Sequence, residues 1–278
     1  MSELKRIPLA GVIGSPIAHS KSPRIFRYWL KKLGLSGHYI PMDIASDDLE
    51  DALRTLPKLG FVGLNVTIPH KERALAIADN VSDRAALIGA ANTLTFKEGG
   101  AIYADNTDGF GFIENLRQGA PTWDAKSGPA AILGAGGAAR AVISSLIEAG
   151  VPEIRLTNRT RTRAEALQRE FGTKVQVSDW VQAGNTLDGA STVVNATSLG
   201  MTGKSEMRLP LDGISKDAVV TDLVYSPLET PFLAHARATG ATCVDGLGML
   251  LYQAAPGFER WFGMKPLVDE GLRQAVLR

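Results

Sequence analysis

Cysteine, histidine and net charge are all scarce in this chain of 278 residues. The one cysteine, Cys243, excludes an internal disulfide, and four histidines leave little material for a Cys/His metal cluster, so no metal is expected. A reducing cytoplasm suits such a sequence. Lys+Arg at 30 against Asp+Glu at 29 leave a net charge of +1, which gives no electrostatic reason to expect nucleic acid or an anionic membrane as partner. No apolar stretch approaches the roughly 18 residues of a membrane span, and neither a repeat nor a low-complexity tract is visible, so a soluble protein is expected. What is present is ordinary globular material, 45% hydrophobic and 21% charged. At roughly 100 to 200 residues per domain the length favours two domains, and small ligands are the class of partner left open.

Lys5-Arg6 followed by the mostly apolar Ile7–Gly14 superficially resembles the start of a secretory signal. Pro8, Gly11 and Gly14 interrupt that run, and a β-strand explains it better. Ser22-Pro23 then opens a helix to Leu33, with the serine read as N-cap. A strand over His38–Ile44, a helix over Asp47–Lys58 and a strand over Phe61–Thr67 follow, the last stopped by Pro69. Thr93–Phe96 and Ala101–Ala104 flank a Glu98-Gly99-Gly100 turn as a hairpin. From Asp108 the pattern changes. A connecting helix to Gln118 leads into alternating strands and helices: Ala130–Leu133, Gly136–Ala149, Ile154–Thr157, Arg161–Phe171, Lys174–Val177, Thr192–Asn195 and Val219–Leu223. Such alternation indicates parallel βαβ units. Helices over Leu247–Phe262 and Pro266–Leu277 close the chain.

Gly134-Ala135-Gly136-Gly137-Ala138-Ala139 lies between a strand and a helix and fits a dinucleotide-binding turn. The first glycine permits the bend, the second lets the backbone approach a pyrophosphate, and the small Ala139 lets helix pack on strand. The helix start offers free N–H groups and a positive dipole end to the anion. The next strand runs into Asn158-Arg159-Thr160-Arg161-Thr162-Arg163. An enzyme preferring NAD would present a carboxylate there to the ribose 2′-hydroxyl; this chain presents arginines. A charge-assisted contact of about 1.5 to 3 kcal/mol shifts preference toward NADP by roughly ten- to a hundredfold. Which of the three arginines meets the phosphate stays open, and Thr160 is also a natural N-cap for the following helix.

Polar clusters also follow strands in the first part of the chain: His19-Ser20-Lys21-Ser22-Pro23, Asn65-Val66-Thr67-Ile68-Pro69-His70-Lys71 and Asp105-Asn106-Thr107-Asp108-Gly109. Each alone is readable as a cap, a strand ending or a helix start. Together with Gly14-Ser15-Pro16, Gly89-Ala90-Ala91-Asn92-Thr93, the glycine turn, Asn195-Ala196-Thr197-Ser198-Leu199-Gly200-Met201, Asp222-Leu223-Val224-Tyr225 and Gly246–Gln253, they make the chain resemble the shikimate dehydrogenase family nearly end to end.

The resemblance implies an α/β fold: an N-terminal α/β substrate domain over 1–107, a C-terminal Rossmann-type dinucleotide-binding domain over 108–245, a cleft between them, and helices 246–278 packing back on the first. It implies NADPH-dependent reversible reduction of 3-dehydroshikimate to shikimate in aromatic amino-acid biosynthesis, by a cytoplasmic monomer or homodimer. Ser20, Ser22, Asn65, Thr67, Asn92, Tyr225 and Gln253 would bind substrate. Gly134, Ala135, Gly136, Gly137, Ala138, Asn158, Arg159, Thr160, Arg163, Thr197, Leu199, Met201, Leu223, Gly246 and Met249 would hold NADP(H). Lys71 and Asp108 form the implied catalytic pair. An ordinary lysine is an ammonium at neutral pH, and a neighbouring carboxylate favours that form, so Lys71 suits the role of proton donor to a developing alkoxide. Use of quinate, alone or beside shikimate, is the alternative within the family, although two serines at 20 and 22 resemble its shikimate-specific members. A non-catalytic NADP-sensing module is the alternative outside it.

Overall fold

The computed structural model describes residues 7–278, so Lys5 and Arg6, the basic pair of the signal-like start, lie outside the described residues. In chain order the first elements are β1 (Leu9–Gly14), α1 (Ser22–Lys32), β2 (His38–Asp43), α2 (Leu49–Thr55), β3 (Phe61–Val66) and α3 (Lys71–Ile77). Next come β4 (Asn80–Val81), α4 (Asp83–Ile88), β5 (Thr93–Phe96), β6 (Ile102–Asp105) and α5 (Asp108–Gly119). They are followed by β7 (Ala130–Leu133), α6 (Gly137–Ala149), β8 (Ile154–Asn158), α7 (Arg161–Phe171), β9 (Val175–Asp179), α8 (Ala183–Leu187) and β10 (Thr192–Asn195). The last are β11 (Val219–Asp222), α9 (Pro231–Ala238), β12 (Thr242–Val244), α10 (Leu247–Phe262) and α11 (Glu270–Leu277). Two compact units result: residues up to Thr107 with Leu251–Arg278 form one, and Asp108–Leu250 the other. The break falls inside α10, about one turn beyond the Gly246 that the sequence pattern marks.

The first unit is built on a mixed sheet in the order β2-β1-β3-β5-β6-β4. β1 pairs in parallel with β2 and β3, while β3, β5 and β6 run antiparallel to one another in sequence. Ile13, Leu64, Val66, Leu94 and Ile102 pack with Leu49, Leu53 and Ala74 on one face. On α1 the apolar positions Ile25, Phe26, Trp29 and Leu30 fall on one stripe and are all buried. Aromatic rings from α10 meet that stripe: Phe258 lies 5.6 Å from Phe26 and 5.2 Å edge-on from Trp29, and the Trp29 indole donates to Leu267 O at 2.8 Å. This aromatic cluster is why the C-terminal helices belong to the first unit. Ser22 does not cap α1. It is the first helical residue, Lys21 takes the cap position without a side-chain bond, and the Ser22 hydroxyl lies near the Tyr39 phenol.

The second unit is a sheet in the order β12-β11-β10-β7-β8-β9 with every pair parallel. Its central strands are buried throughout, which matches their unbroken apolar runs. Strand order reverses between β7 and β10, and such a switch point leaves a crevice at the carboxyl ends of the strands. Among the described residues no helix is long and apolar enough to cross a membrane, and no group of three or more His, Cys, Asp or Glu is placed to hold a metal.

Gly63 in β3 is fixed by packing. A Cβ there would lie 1.9 Å from Trp261 Nε1 and 2.5 Å from Leu94 O, and neither a buried indole nor a neighbouring strand can yield. Gly63→Ala is therefore expected to destabilise the protein by about 2 kcal/mol, measured by urea unfolding, since overpacking of this kind typically costs about 1 to 3 kcal/mol.

Candidate functional site

In the first unit, the residues singled out by the sequence converge through side-chain hydrogen bonds. The Tyr39 phenol donates to Asn65 Oδ1 at 2.7 Å, and the Ser22 hydroxyl lies near the phenol and eases its ionisation. Asn65 Nδ2 donates to Thr93 Oγ1 at 3.3 Å and to Asn92 O at 3.2 Å. Thr93 Oγ1 donates to Asn92 Oδ1 at 2.9 Å, and Asn92 Nδ2 to Gln253 Oε1 at 3.2 Å. The Thr107 amide donates to Asn92 Oδ1 and its hydroxyl to Gln253 O, both at 2.8 Å. Every side-chain link in the series Tyr39, Asn65, Thr93, Asn92, Gln253 thus donates in one direction. Ser20 is adjacent: its Oγ accepts from the Ser22 amide at 3.3 Å.

Local structure explains this convergence. β2 and β3 flank β1, so Tyr39 and Asn65 reach each other across it. The Phe26 ring stacks on Tyr39 at 3.7 Å and holds it, while burial pushes the phenol well above its ordinary pKa, opposed in part by Ser22. Lys71 is the first residue of α3, and its carbonyl accepts from Ala91 N at 2.9 Å, which sets it beside the chain leading to Asn92. Thr67 N donates to Ile13 O at 2.9 Å, placing Thr67 at the carboxyl end of β3 and β1. Asp108 follows Thr107 directly and is the first residue of α5 in the second unit. Tyr225 also belongs to the second unit, with its phenol raised by burial.

Asp105, at the end of β6, anchors the Asn106–Asp108 segment. Its side chain is 1% exposed and accepts from Arg84 Nε at 2.6 Å, Arg260 Nη2 at 2.5 Å, Ser82 Oγ at 2.8 Å and Asn106 N at 2.8 Å. Burial opposes its ionisation, but Arg84, Ser82 and Arg260 outweigh it and hold the carboxyl at about 2. Asn106 Nδ2 then ties the segment to Ala90 O at 2.9 Å.

In the second unit the glycine turn has two distinct parts. Gly134 has φ +107°, and a Cβ there would meet Thr197 Cγ2 at 2.7 Å, so this glycine serves the fold. A Cβ on Gly136 or Gly137 meets nothing within 4 Å: open space lies over the start of α6, where Ala138 too is exposed. Such a cradle fits a pyrophosphate held by helix N–H groups. Ala139 is fully buried against the core, as close helix–strand packing requires. Asn158 Oδ1 accepts from Ala135 N at 3.1 Å and its Nδ2 donates to Thr160 O at 2.8 Å, which braces the turn. Thr160 holds the N-cap position of α7, but its side chain makes no cap bond. Arg161 is already committed, to Glu165 and Asp179, each at 2.7 Å. Arg159 and Arg163 are exposed and make no ion pair among the described residues.

Beyond β10 and β11 the loops hang on a buried carboxylate. Asp222 Oδ1 accepts from Asn195 Nδ2 and Val224 N, both at 2.9 Å, and Oδ2 from Thr230 Oγ1 at 2.7 Å. Burial raises its pKa in spite of these bonds. Asn195 Oδ1 in turn accepts from Thr197 Oγ1 at 2.7 Å, and Thr197 Oγ1 from Leu199 N at 3.0 Å, which shapes the segment toward Met201. Gly246 lies against Asp222 O and Leu223 O, where a Cβ would approach to 2.6 Å, so Leu223, Gly246 and Met249 are neighbours.

Known proteins share this sequence and this fold. A model of the shikimate dehydrogenase substrate binding domain matches residues 12–94, one of the shikimate/quinate 5-dehydrogenases residues 119–203, and one of the shikimate 5′-dehydrogenase C-terminal domain residues 246–277. The chain is 68% identical to the NADP+ shikimate dehydrogenase of Cereibacter sphaeroides, over 100% of its own length and 99% of the relative's. It belongs to the shikimate dehydrogenase family. The enzyme of that name from Paracoccus denitrificans is 63% identical, covering 98% and 97% of the two chains. Among solved structures, the Thermus thermophilus shikimate 5-dehydrogenase in complex with NADP(H) and shikimate superposes with a TM-score of 0.87 at 40% identity, over 98% of this chain and 99% of that one. Quinate dehydrogenase of Corynebacterium glutamicum in complex with NAD gives 0.90 at 31% identity over the same shares.

Tyr39, Thr93, Thr107 and Asp105 belong to the hydrogen-bonded framework although the sequence did not assign them roles. Thr93, Thr107 and Asp105 sit inside motifs that carried the resemblance; Tyr39 sits in a strand with no motif at all. The depressed carboxyl of Asp105 contributes stability that is complete above about pH 4, the unfolded value, and declines as pH falls toward 2. Asp105→Asn is expected to cost about 2 kcal/mol at pH 7 in urea unfolding, with roughly half of that difference gone by pH 3.

Proposed function

We propose that this chain is an NADP-dependent shikimate dehydrogenase that reversibly reduces 3-dehydroshikimate to shikimate in the cytoplasm, as a step of aromatic amino-acid biosynthesis. The observation that carries the reading is the hydrogen-bonded series from Tyr39 through Asn65, Thr93 and Asn92 to Gln253, with Ser22 beside the Tyr39 phenol, which gathers amide and hydroxyl groups at one end of a sheet. Such a set matches a ring bearing several hydroxyls and a carboxylate. Ser20, Ser22, Asn65, Thr67, Asn92, Gln253 and Tyr225 bind that substrate.

Bound NADP(H) supplies or accepts the hydride. The Gly134–Ala138 turn holds its pyrophosphate, and Asn158, Arg159, Thr160 and Arg163 border its ribose phosphate. Thr197, Leu199, Met201, Leu223, Gly246 and Met249 border the rest of the dinucleotide. Lys71 carries the proton, giving it to the C3 oxygen during reduction, and Asp108 orients the ammonium and accepts from a substrate hydroxyl. Arginines rather than a carboxylate after β8 support NADP over NAD. The full-length similarity to a quinate dehydrogenase favours one second reading, acceptance of quinate, which parallel assays of shikimate and quinate with each nucleotide distinguish.

Lys71→Ala is expected to lower kcat for shikimate oxidation at least a hundredfold while KM changes by less than about threefold, measured by steady-state kinetics, because the proton contact strengthens only in the transition state. Gly136→Ala is expected to leave the unfolding free energy within about 0.5 kcal/mol of the parent, since its methyl meets no atom. The same change is expected to weaken NADP+ binding at least tenfold in calorimetry, by filling the cradle.

A further inference from the structure

A cavity of about 480 Å³ in the second unit is lined by Arg159, Trp180, Leu199, Ser205, Glu206 and Arg208. Three of these follow the carboxyl ends of strands: Arg159 follows β8, Trp180 follows β9 and Leu199 follows β10. The strands run in the order β10-β7-β8-β9, so the cavity lies along the edge onto which the glycine turn after β7 opens. Arg208 comes from elsewhere, the long connection between β10 and β11. That connection is folded back on itself: Gly200 N donates to Ser205 O at 2.9 Å, Lys204 N to Met201 O at 2.9 Å and Thr202 N to Ser226 O at 2.8 Å. Its turn carries Ser205–Arg208 to the cavity wall.

We infer that Arg208 is a further specificity-determining cation for the ribose 2′-phosphate, acting with Arg159 in this cavity. The inference deepens the NADP reading above and rests on it. In a dinucleotide-binding unit the ribose 2′ position faces the residues that end the second strand, here β8, and Arg159 stands there. Arg161 is withdrawn by Glu165 and Asp179, and of the two arginines placed above at the ribose phosphate, Arg159 lines the cavity. Arg208 is exposed, makes no ion pair among the described residues, and faces the same space. Glu206 shares the wall, so with one guanidinium the lining carries no net charge, and with both it carries one positive charge. A dianionic phosphate needs that surplus, because a guanidinium offers paired N–H donors and a carboxylate offers none. Trp180 completes the enclosure with an aromatic wall.

The test is calorimetric titration of the full chain with 2′,5′-ADP and with 5′-AMP, which differ only in the phosphate at issue. The parent is expected to bind 2′,5′-ADP at least tenfold more tightly. Arg208→Ala is expected to weaken 2′,5′-ADP about tenfold or more while 5′-AMP changes less than twofold, with an unchanged melting temperature as the check on folding. Arg159→Ala serves as the reference variant. If it loses the discrimination and Arg208→Ala keeps it, or if Arg208→Ala weakens both nucleotides alike, the assignment of Arg208 is overturned while the NADP reading stands. A parent that binds the two nucleotides equally overturns the NADP reading itself.

Discussion

A polar group withdrawn from water must find partners inside the protein, and in the first unit this requirement falls most heavily on Asn92. Its side chain is almost fully buried, and an unsatisfied amide there would cost about 1 to 3 kcal/mol for each missing bond. The fold supplies those bonds from three directions, Thr93 beside it, Thr107 after β6 and Gln253 from α10, while Asn65 from β3 donates to its main-chain carbonyl. Meeting the demands of one residue therefore fixes the positions of a strand end, a helix and two loops. The same bonds that satisfy the interior leave hydroxyl and amide groups gathered at the end of the sheet where the proposed function puts the substrate.

The second unit answers a similar demand with a charge. Asp222 is fully buried and has no cationic partner among its bonds; two hydrogen-bond donors from side chains and one from the backbone stabilise it. That choice has a structural return. Asn195, Val224 and Thr230 lie on three different stretches of chain, so a single carboxylate organises the loops after β10 and β11, and Gly246 lets the start of α10 approach their backbone. On the other side of the switch point the glycine turn divides its labour, with Gly134 accommodating Thr197 and Gly136 leaving room above the helix. Fold and ligand requirements are thus met by neighbouring residues of one motif.

Much of this was legible in the sequence wherever local signals agree. β7, α7 and β10 have the bounds that their apolar runs and flanking glycines indicate, because buried parallel strands carry unbroken hydrophobicity. The hairpin of β5 and β6 follows from its Glu98-Gly99-Gly100 turn. β4, α4 and α8 escaped, being two to six residues long and too short for a period to register. α9 was missed in spite of a usable signal: Thr230-Pro231 is a cap followed by proline, and Thr230 Oγ1 does accept from Leu233 N. Tyr39 was illegible for a different reason. Alternation along β2 places its ring inward, yet only the sheet order reveals that its phenol meets Asn65 two strands away. Ser22 misleads in the same manner, since serine before proline reads as a cap while it is the first residue inside the helix and its hydroxyl lies near Tyr39 of another element.

The series that runs from Tyr39 to Gln253 also has a sense. Since each member gives its proton to the next, the line of dipoles is head-to-tail, with oxygen lone pairs offered at the tyrosine end and the Gln253 Nε2 hydrogens at the other. No single amide can rotate by half a turn without forcing its neighbours to follow, which makes the row behave as one polarised object. On the function proposed above, a substrate would be read for orientation as well as for composition: its own hydroxyls and carboxylate would complete the row in the same sense, and a mirror-image arrangement of the same groups would meet donor with donor.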